Sequence, residues 1–230
     1  MNILFFGSSS FSLPVLETLF ASGHKVTAVV TTPAKPKGRG LKVEPNPVQA
    51  LAREKGVPCL APAKLRAPEA LEEAAKYPCD VMVLASYGKI LPGSWLALAR
   101  ISPLNIHPSL LPRYRGAAPI NWQIIDGAEK TGVTIFKMEE GLDSGDIAAQ
   151  QEFPLGSEQD ALMLSDFLAQ KGAAILLTVL ARAETGTLSF RPQDPAQATY
   201  APKLKKEDGV IHWNENASRI AGLVRGLLPW

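Results

Sequence analysis

Asn105 and His107 stand two residues apart in Asn105-Ile106-His107-Pro108, at the end of a short apolar run. Residues two apart in an extended strand project to the same side, so an amide and an imidazole leave one strand end together. Open α/β sheets bind ligands at the carboxyl ends of their strands. There an amide donor beside an imidazole can hold a developing oxyanion and manage a proton. A histidine alone serves equally well as a hydrogen-bonded core residue. The neighbouring Asn, the strand-end position and the Pro that breaks the strand argue for chemistry. Gly141-Leu142-Asp143-Ser144-Gly145-Asp146 is the second candidate. Its glycines permit a tight loop with positive φ, and an acid held there could reach the histidine and fix its tautomer. Asp between glycines is also ordinary turn chemistry, and spacing leaves Asp143 and Asp146 both open. The third is Lys35-Pro36-Lys37-Gly38-Arg39-Gly40-Leu41-Lys42, with four basic residues in eight and no acid. It reads as a protruding loop, either solvated or set against a phosphate backbone.

The elements that must carry these residues alternate. Ile3–Phe6 and Val81–Ala85 are apolar without polar alternation, as buried strands are. Val26–Val30, a short Val57–Leu60 and Leu104–His107 are further strands. Between them lie helical patterns. One has Leu13, Leu16, Leu19 and Phe20, with Pro14 in its first turn and Gly23 as its stop. Another begins at Asn46 as N-cap with Pro47 at the first position, and a third spans Glu69–Ala75. This alternation predicts an α/β, Rossmann-like, doubly wound and mainly parallel sheet. The second half changes character. Gly116–Ile125 reads as a helix, Gly132–Met138 and Asp146–Pro154 as a hairpin, and Asp160–Ala183 as one long amphipathic helix. Pro192, Pro195 and Pro202 then punctuate a linker, followed by Lys203, Lys205 and Lys206 and another helical pattern.

Composition narrows the classes. The chain has 230 residues, 46% hydrophobic and 20% charged, which suits a packed core. Its net charge of +2 argues against a wholesale electrostatic grip on nucleic acid and leaves a local patch. Cys59 and Cys79 form no C-x-x-C pair and read as reduced thiols of a cytoplasmic protein. His24, His107 and His212 are too scattered for a zinc motif, so no metal site is expected. The start at Asn2-Ile3-Leu4 has no charged n-region, so no signal peptide is read there. No run of about 18 apolar residues suggests a membrane span. The first strand-to-helix turn, Gly7-Ser8-Ser9-Ser10-Phe11, keeps one glycine of G-x-G-x-x-G, which disfavours a dinucleotide-binding oxidoreductase. Its hydroxyls suit an anion or a polar ligand. P-loop and G-x-S-x-G motifs are absent.

The segment Asn105-Ile106-His107-Pro108-Ser109-Leu110-Leu111-Pro112, continued by Arg113-Tyr114-Arg115-Gly116-Ala117-Ala118-Pro119-Ile120, closely resembles the signature of the folate-dependent formyltransferases. The Arg-x-Arg-Gly-Ala-Ala-Pro run is similar to the methionyl-tRNA formyltransferase family. So are Gly132-Val133-Thr134-Ile135, the Gly141–Asp146 loop, Pro36-x-Gly38-Arg39-Gly40, Tyr200-Ala201-Pro202-Lys203-Leu204 and Ile211-x-Trp213. Departures are few: Ser8-Ser9-Ser10 where the family often has Thr-Pro and an acid, and Asn121 where Gln is common.

The resemblance implies a formyltransferase fold and formyl transfer from 10-formyltetrahydrofolate to the α-amine of methionyl initiator tRNA, in the cytoplasm, by a monomer without a membrane partner. It implies Asn105, His107 and Asp143 as the catalytic trio. It implies a folate pocket from Tyr87, Gly88, Lys89, Ile90 and Leu91 with Ser109, Leu110, Leu111 and Pro112, and tRNA contacts from Lys37, Arg39 and Lys42. The implied organisation is a catalytic domain at 1–188, a linker at 189–206, and at 207–230 the start of a C-terminal tRNA-binding domain that is mostly lacking. Glycinamide ribonucleotide and amino-sugar-nucleotide formyltransferases share the Asn-x-His and Asp elements. The basic loop and the Arg-x-Arg run favour tRNA over those acceptors.

Overall fold

The computed structural model describes residues 1–37 and 42–229. Along the chain run β1 (Asn2–Gly7), α1 (Ser12–Ala21), β2 (Lys25–Val30), β3 (Lys35–Lys37), β4 (Lys42–Glu44), α2 (Pro47–Glu54), β5 (Cys59–Leu60), α3 (Pro68–Ala75) and β6 (Val81–Ala85). Then follow α4 (Gly93–Leu96), β7 (Ser102–His107), β8 (Arg115–Gly116), α5 (Pro119–Ile125), β9 (Lys130–Lys137), β10 (Ile147–Pro154), α6 (Ala161–Glu184), β11 (Tyr200–Ala201) and α7 (Ala217–Gly226). The main sheet has seven strands in the order β10-β9-β7-β6-β1-β2-β5. From β7 to β5 all pairs are parallel, whereas β9 runs antiparallel to β7 and β10 antiparallel to β9. The doubly wound sheet and the hairpin are both as the sequence predicts.

The uninterrupted apolar strands are uninterrupted because helices cover both faces. Successive side chains of β1 alternate between two cores. Ile3 and Phe5 face the layer that holds Val15, Leu16 and Leu19 of α1 and Leu168, Leu176 and Leu180 of α6. Leu4 and Phe6 face the layer of Met82, Trp95 and Leu65. There Phe6 meets Tyr87 and Trp95 edge-on, at 5.4 and 5.8 Å.

α6 is long and apolar enough, by length and composition, to cross a bilayer, a property that a search for unbroken apolar runs misses. Ten of its residues lie in the core instead, and Asp160 caps its start by accepting from the Met163 N–H at 2.8 Å. α2 opens with the predicted Asn46 cap, and Gln49 completes a capping box. The helix expected from Gly116 begins at Pro119. The cause is competition: Arg115 and Gly116 pair in parallel with Tyr200 and Ala201. At Gly116, φ is +123°, and a Cβ would approach the Ala201 carbonyl oxygen to 2.7 Å. The stretch read as a linker is thereby drawn back onto the domain, and Arg191 adds an antiparallel bridge to Ile147. α7 lies on α5, where Gly222 passes close to the Ile124 carbonyl and Asn121 donates to the Gly226 carbonyl at 2.7 Å.

Gly172 lets α6 close on the sheet: a Cβ there would sit 2.7 Å from Cγ2 of Ile106 and 3.4 Å from Cγ1 of Val133. Gly172→Val should overpack this contact and cost about 1–3 kcal/mol, read as a lower urea midpoint at unchanged slope.

Candidate active site

A cavity of about 700 Å³ brings together distant parts of the chain, a size typical of small-molecule sites. Ser86 to Leu91, leaving the end of β6, form one wall. Met138 to Asp143, from the β9–β10 loop, form a second. Phe11, Ala117 to Asn121, Leu162 and Pro229 line the remainder. Asn105 and His107 reach into it from β7.

The pleat places Asn105 and His107 on one side, as predicted. Asn105 lies between Leu84 of β6 and Phe136 of β9, and its side-chain amide has no hydrogen-bond partner among the described residues. Its Nδ2–H is therefore free to serve a ligand. His107 is buried, and its ring meets Phe136 edge-on at 6.4 Å. Nε2 donates to the Tyr114 carbonyl at 2.9 Å. That bond fixes which nitrogen bears the proton in the neutral ring. Nδ1 faces Oδ2 of Asp143 at 3.6 Å, an ion-pair distance too long for a hydrogen bond. With Nε2–H committed, Nδ1 is the ring nitrogen turned to the carboxylate.

Asp143 is held from the other side. Its Oδ2 accepts the Gly116 N–H at 2.8 Å. Its φ is +49°, a left-handed conformation that costs an ordinary residue about 1–2 kcal/mol and that Asp tolerates better than most side chains. The β9–β10 loop has to fold sharply to put it there. Lys137 is in register with Leu104, three residues before His107. At Gly145 a Cβ would fall on the Lys137 carbonyl, and at Gly141 on the Ser144 hydroxyl. Gly145 is thus required by space, whereas at Gly141 the Ser144 side chain would have to turn away. Asp146 does not line the cavity; its carbonyl accepts the Lys137 N–H at 2.9 Å. Geometry so separates two acids that spacing leaves equivalent.

Of the other expected site residues, Tyr87, Gly88, Lys89, Ile90 and Leu91 line the cavity. Tyr87 is buried, and burial pushes its phenol up to about 12. Lys89 donates to the Pro62 and Ala63 carbonyls at 3.0 and 3.1 Å. Ser109, Leu110, Leu111 and Pro112 do not line it. Ser109 and Leu111 are buried behind it because Thr134 ties them down. Its Oγ1 donates to the Ser109 carbonyl at 2.7 Å and accepts the Leu111 N–H at 3.1 Å. Gln150 secures the same turn through the Leu111 carbonyl at 2.9 Å. The segment braces the residues that follow His107. Arg39 lies outside the described residues; Lys37 and Lys42 face each other in register on the β3–β4 ribbon. Two roles escape the motif reading: that of the main chain at Tyr114–Gly116, inside the Arg-x-Arg-Gly-Ala-Ala-Pro run, and that of Gln193, which donates to the Asp143 and Gly145 carbonyls. Main-chain partners leave no residue-type signal, and Gln193 sits in Pro-rich sequence of no recognisable pattern.

Residues 1–180 match the family profile described as Formyl transferase, which defines the class. The full chain is 46% identical over 230 residues to the methionyl-tRNA formyltransferase of Geobacter metallireducens, covering 74% of that protein. It is also 46% identical over 231 residues to that of Caldanaerobacter subterraneus subsp. tengcongensis, covering 75% of it. The chain therefore belongs to the formyl transferase family, in its methionyl-tRNA formyltransferase branch, and spans about three quarters of the length of these relatives. Among solved structures, a 4-N formyltransferase from Francisella tularensis superposes with a TM-score of 0.76 at 17% identity, covering all of this chain and 89% of its own. HypX from Aquifex aeolicus in complex with tetrahydrofolic acid gives a TM-score of 0.73 at 20% identity, covering 98% of this chain and 34% of its own. These two likenesses concern the fold.

Thr134→Val would leave the Leu111 N–H and the Gln150 amide without their shared buried acceptor. A loss of about 1–3 kcal/mol is expected for the orphaned donors, measurable by chemical denaturation.

Proposed function

We propose that this chain transfers the formyl group of 10-formyltetrahydrofolate to the α-amine of methionyl initiator tRNA, preparing it to start translation. The reading is carried by the convergence of Asn105, His107 and Asp143 on one cavity, in a chain that aligns end to end with methionyl-tRNA formyltransferases. The folate supplies an activated formyl group whose N10 can depart as an amine. Tyr87 to Leu91 form its wall in this reading, with Ser109 to Pro112 bracing the His107 turn from behind.

A free α-amine has a pKa of about 7.7–8.0, and esterification of the adjacent carboxyl lowers it. The acceptor therefore attacks as a neutral amine without a strong base. Asn105 donates its Nδ2–H to the formyl oxygen as that oxygen gains charge. His107, as imidazolium, lends its positive charge from the same side, and Asp143 balances that charge while the ring is held at Nε2 by Tyr114. The Asp143 carboxylate takes the proton released by the attacking nitrogen, directly or through a water. A proton returns to N10 as its bond to the formyl carbon breaks. Atoms and charge balance: one C–N bond forms, one breaks, and one proton passes from the acceptor nitrogen to the donor nitrogen.

In the same reading residues 1–188 are the catalytic domain, 189–206 the connecting segment and 207–230 the first part of a tRNA-binding region. The protein acts as a cytoplasmic monomer. The basic run of the sequence that holds Lys37, Arg39 and Lys42 meets the acceptor end of the tRNA.

The deciding assay compares charged initiator tRNA, glycinamide ribonucleotide and an amino-sugar nucleotide as acceptors of the formyl group. Transfer to the tRNA alone is expected, and transfer only to a small acceptor would defeat the proposal. Asn105→Ala and Asp143→Ala should fold normally and lose about a hundred- to a thousandfold in kcat; near-normal turnover of either would remove it from the trio. Arg39→Ala should weaken tRNA use and flatten its salt dependence by about one unit of log–log slope, while slow hydrolysis of the folate donor persists. An unchanged KM for charged tRNA would dismiss that role.

A further inference from the structure

Gln193 lies nine residues beyond the end of α6, outside every motif the sequence offers. All four hydrogen-bonding positions of its amide are nonetheless filled. Nε2 donates to the carbonyls of Asp143 at 2.9 Å and Gly145 at 2.7 Å. Oε1 accepts from Nε of Arg115 at 3.1 Å and from its Nη2 at 2.7 Å. Arg115 is buried and lies between the two residues that hold the trio in place. Before it, Tyr114 gives its carbonyl to His107; after it, Gly116 gives its N–H to Asp143.

We propose that Gln193 is a positioning residue for formyl transfer, fixing the Asp143 carboxylate opposite His107 by tying the acidic loop to the Tyr114–Gly116 strand. This rests on the reaction proposed above. The chemistry of the position admits few side chains. Two carbonyls require two donors and a cation requires an acceptor, and a side-chain amide offers that set. Glutamate would satisfy Arg115 and set an oxygen against two carbonyl oxygens. Lysine would satisfy the carbonyls and repel the guanidinium. The tie falls where the backbone needs one, because Asp143 has φ of +49° and such residues persist only when their surroundings over-determine them. Without the Nε2 donor both carbonyls turn to water, the loop relaxes, and the carboxylate leaves the Gly116 N–H.

The test uses the full chain with Gln193→Ala and Gln193→Glu. Gln193→Glu keeps the Arg115 side of the tie and abolishes the loop side, so it carries the comparison if Gln193→Ala proves unstable. In both, kcat should fall about ten- to a hundredfold, the scale of a displaced catalytic group. KM for the folate donor and for charged tRNA should stay within about threefold, as for an interaction made in the transition state. The amide proton of Gly116, deshielded by the carboxylate in the wild type, should move upfield and exchange faster in both variants. A folded variant with kcat within about twofold of wild type, or an unmoved Gly116 resonance, overturns the proposal. Absence of formyl transfer by the wild type would instead defeat the parent reaction, and the Gly116 resonance would still decide whether Gln193 holds the carboxylate.

Discussion

The site depends on a three-residue stretch of main chain. The Tyr114 carbonyl receives Nε2 of His107 and the Gly116 N–H is received by Asp143. One peptide strand thus fixes both members of an acid–imidazole pair, and does so with main-chain groups, of which only the Gly116 N–H could be removed by substitution, and then only by proline. The pair itself is held apart at 3.6 Å. That spacing is too long for a hydrogen bond, so the carboxylate is not spent on the ring. Electrostatic complementarity set before substrate arrives costs no reorganisation during reaction.

The rest of the fold serves to aim that stretch. The parallel strands bring β6 and β7 side by side, so the Ser86–Leu91 wall and the Asn105–His107 pair share one cavity. The change of direction at β9 then supplies something a purely parallel sheet lacks: a hairpin whose loop belongs to the strand next to the histidine. α6 packs against β7 and β9, with Gly172 allowing a close approach to Ile106 and Val133. Arg115 and Gln193 connect the two halves through a polar network whose members are mutually satisfied.

Much of this was legible in the residues. Buried strands announced themselves as apolar runs, the Asn46–Pro47 cap as a helix start, and Asn105 with His107 as a same-side pair. Each is a local signal, set by neighbours a few positions away. The loop glycines were legible as a tight turn, but not the choice between Asp143 and Asp146, because that choice depends on a β9 register set by a distant strand. Gly116 read as helical because local propensity there is overridden by pairing with Ala201, eighty-five residues on. Ser109–Pro112 sits beside the site in sequence and behind it in space, since Thr134 and Gln150 draw it inward. Main-chain partners, finally, carry no residue identity at all, which is why the Arg-x-Arg-Gly run is recognisable in the sequence while the role of its backbone at Tyr114–Gly116 is not.

The pairing of β8 with β11 has a temporal side. The bracket around His107 and Asp143 is closed by Thr199 and Ala201, which engage Tyr114, Arg115 and Ala117 through the main chain or a hydroxyl. Chains emerge from the ribosome amino-terminus first and fold as they do so. The sheet from β5 to β7 can therefore assemble while the His107–Asp143 pair is still unclamped. Competence arrives late, when the second hundred residues have been synthesised and the returning strand docks. A chain interrupted before that point would own the histidine and the aspartate and lack the scaffold that makes them act together.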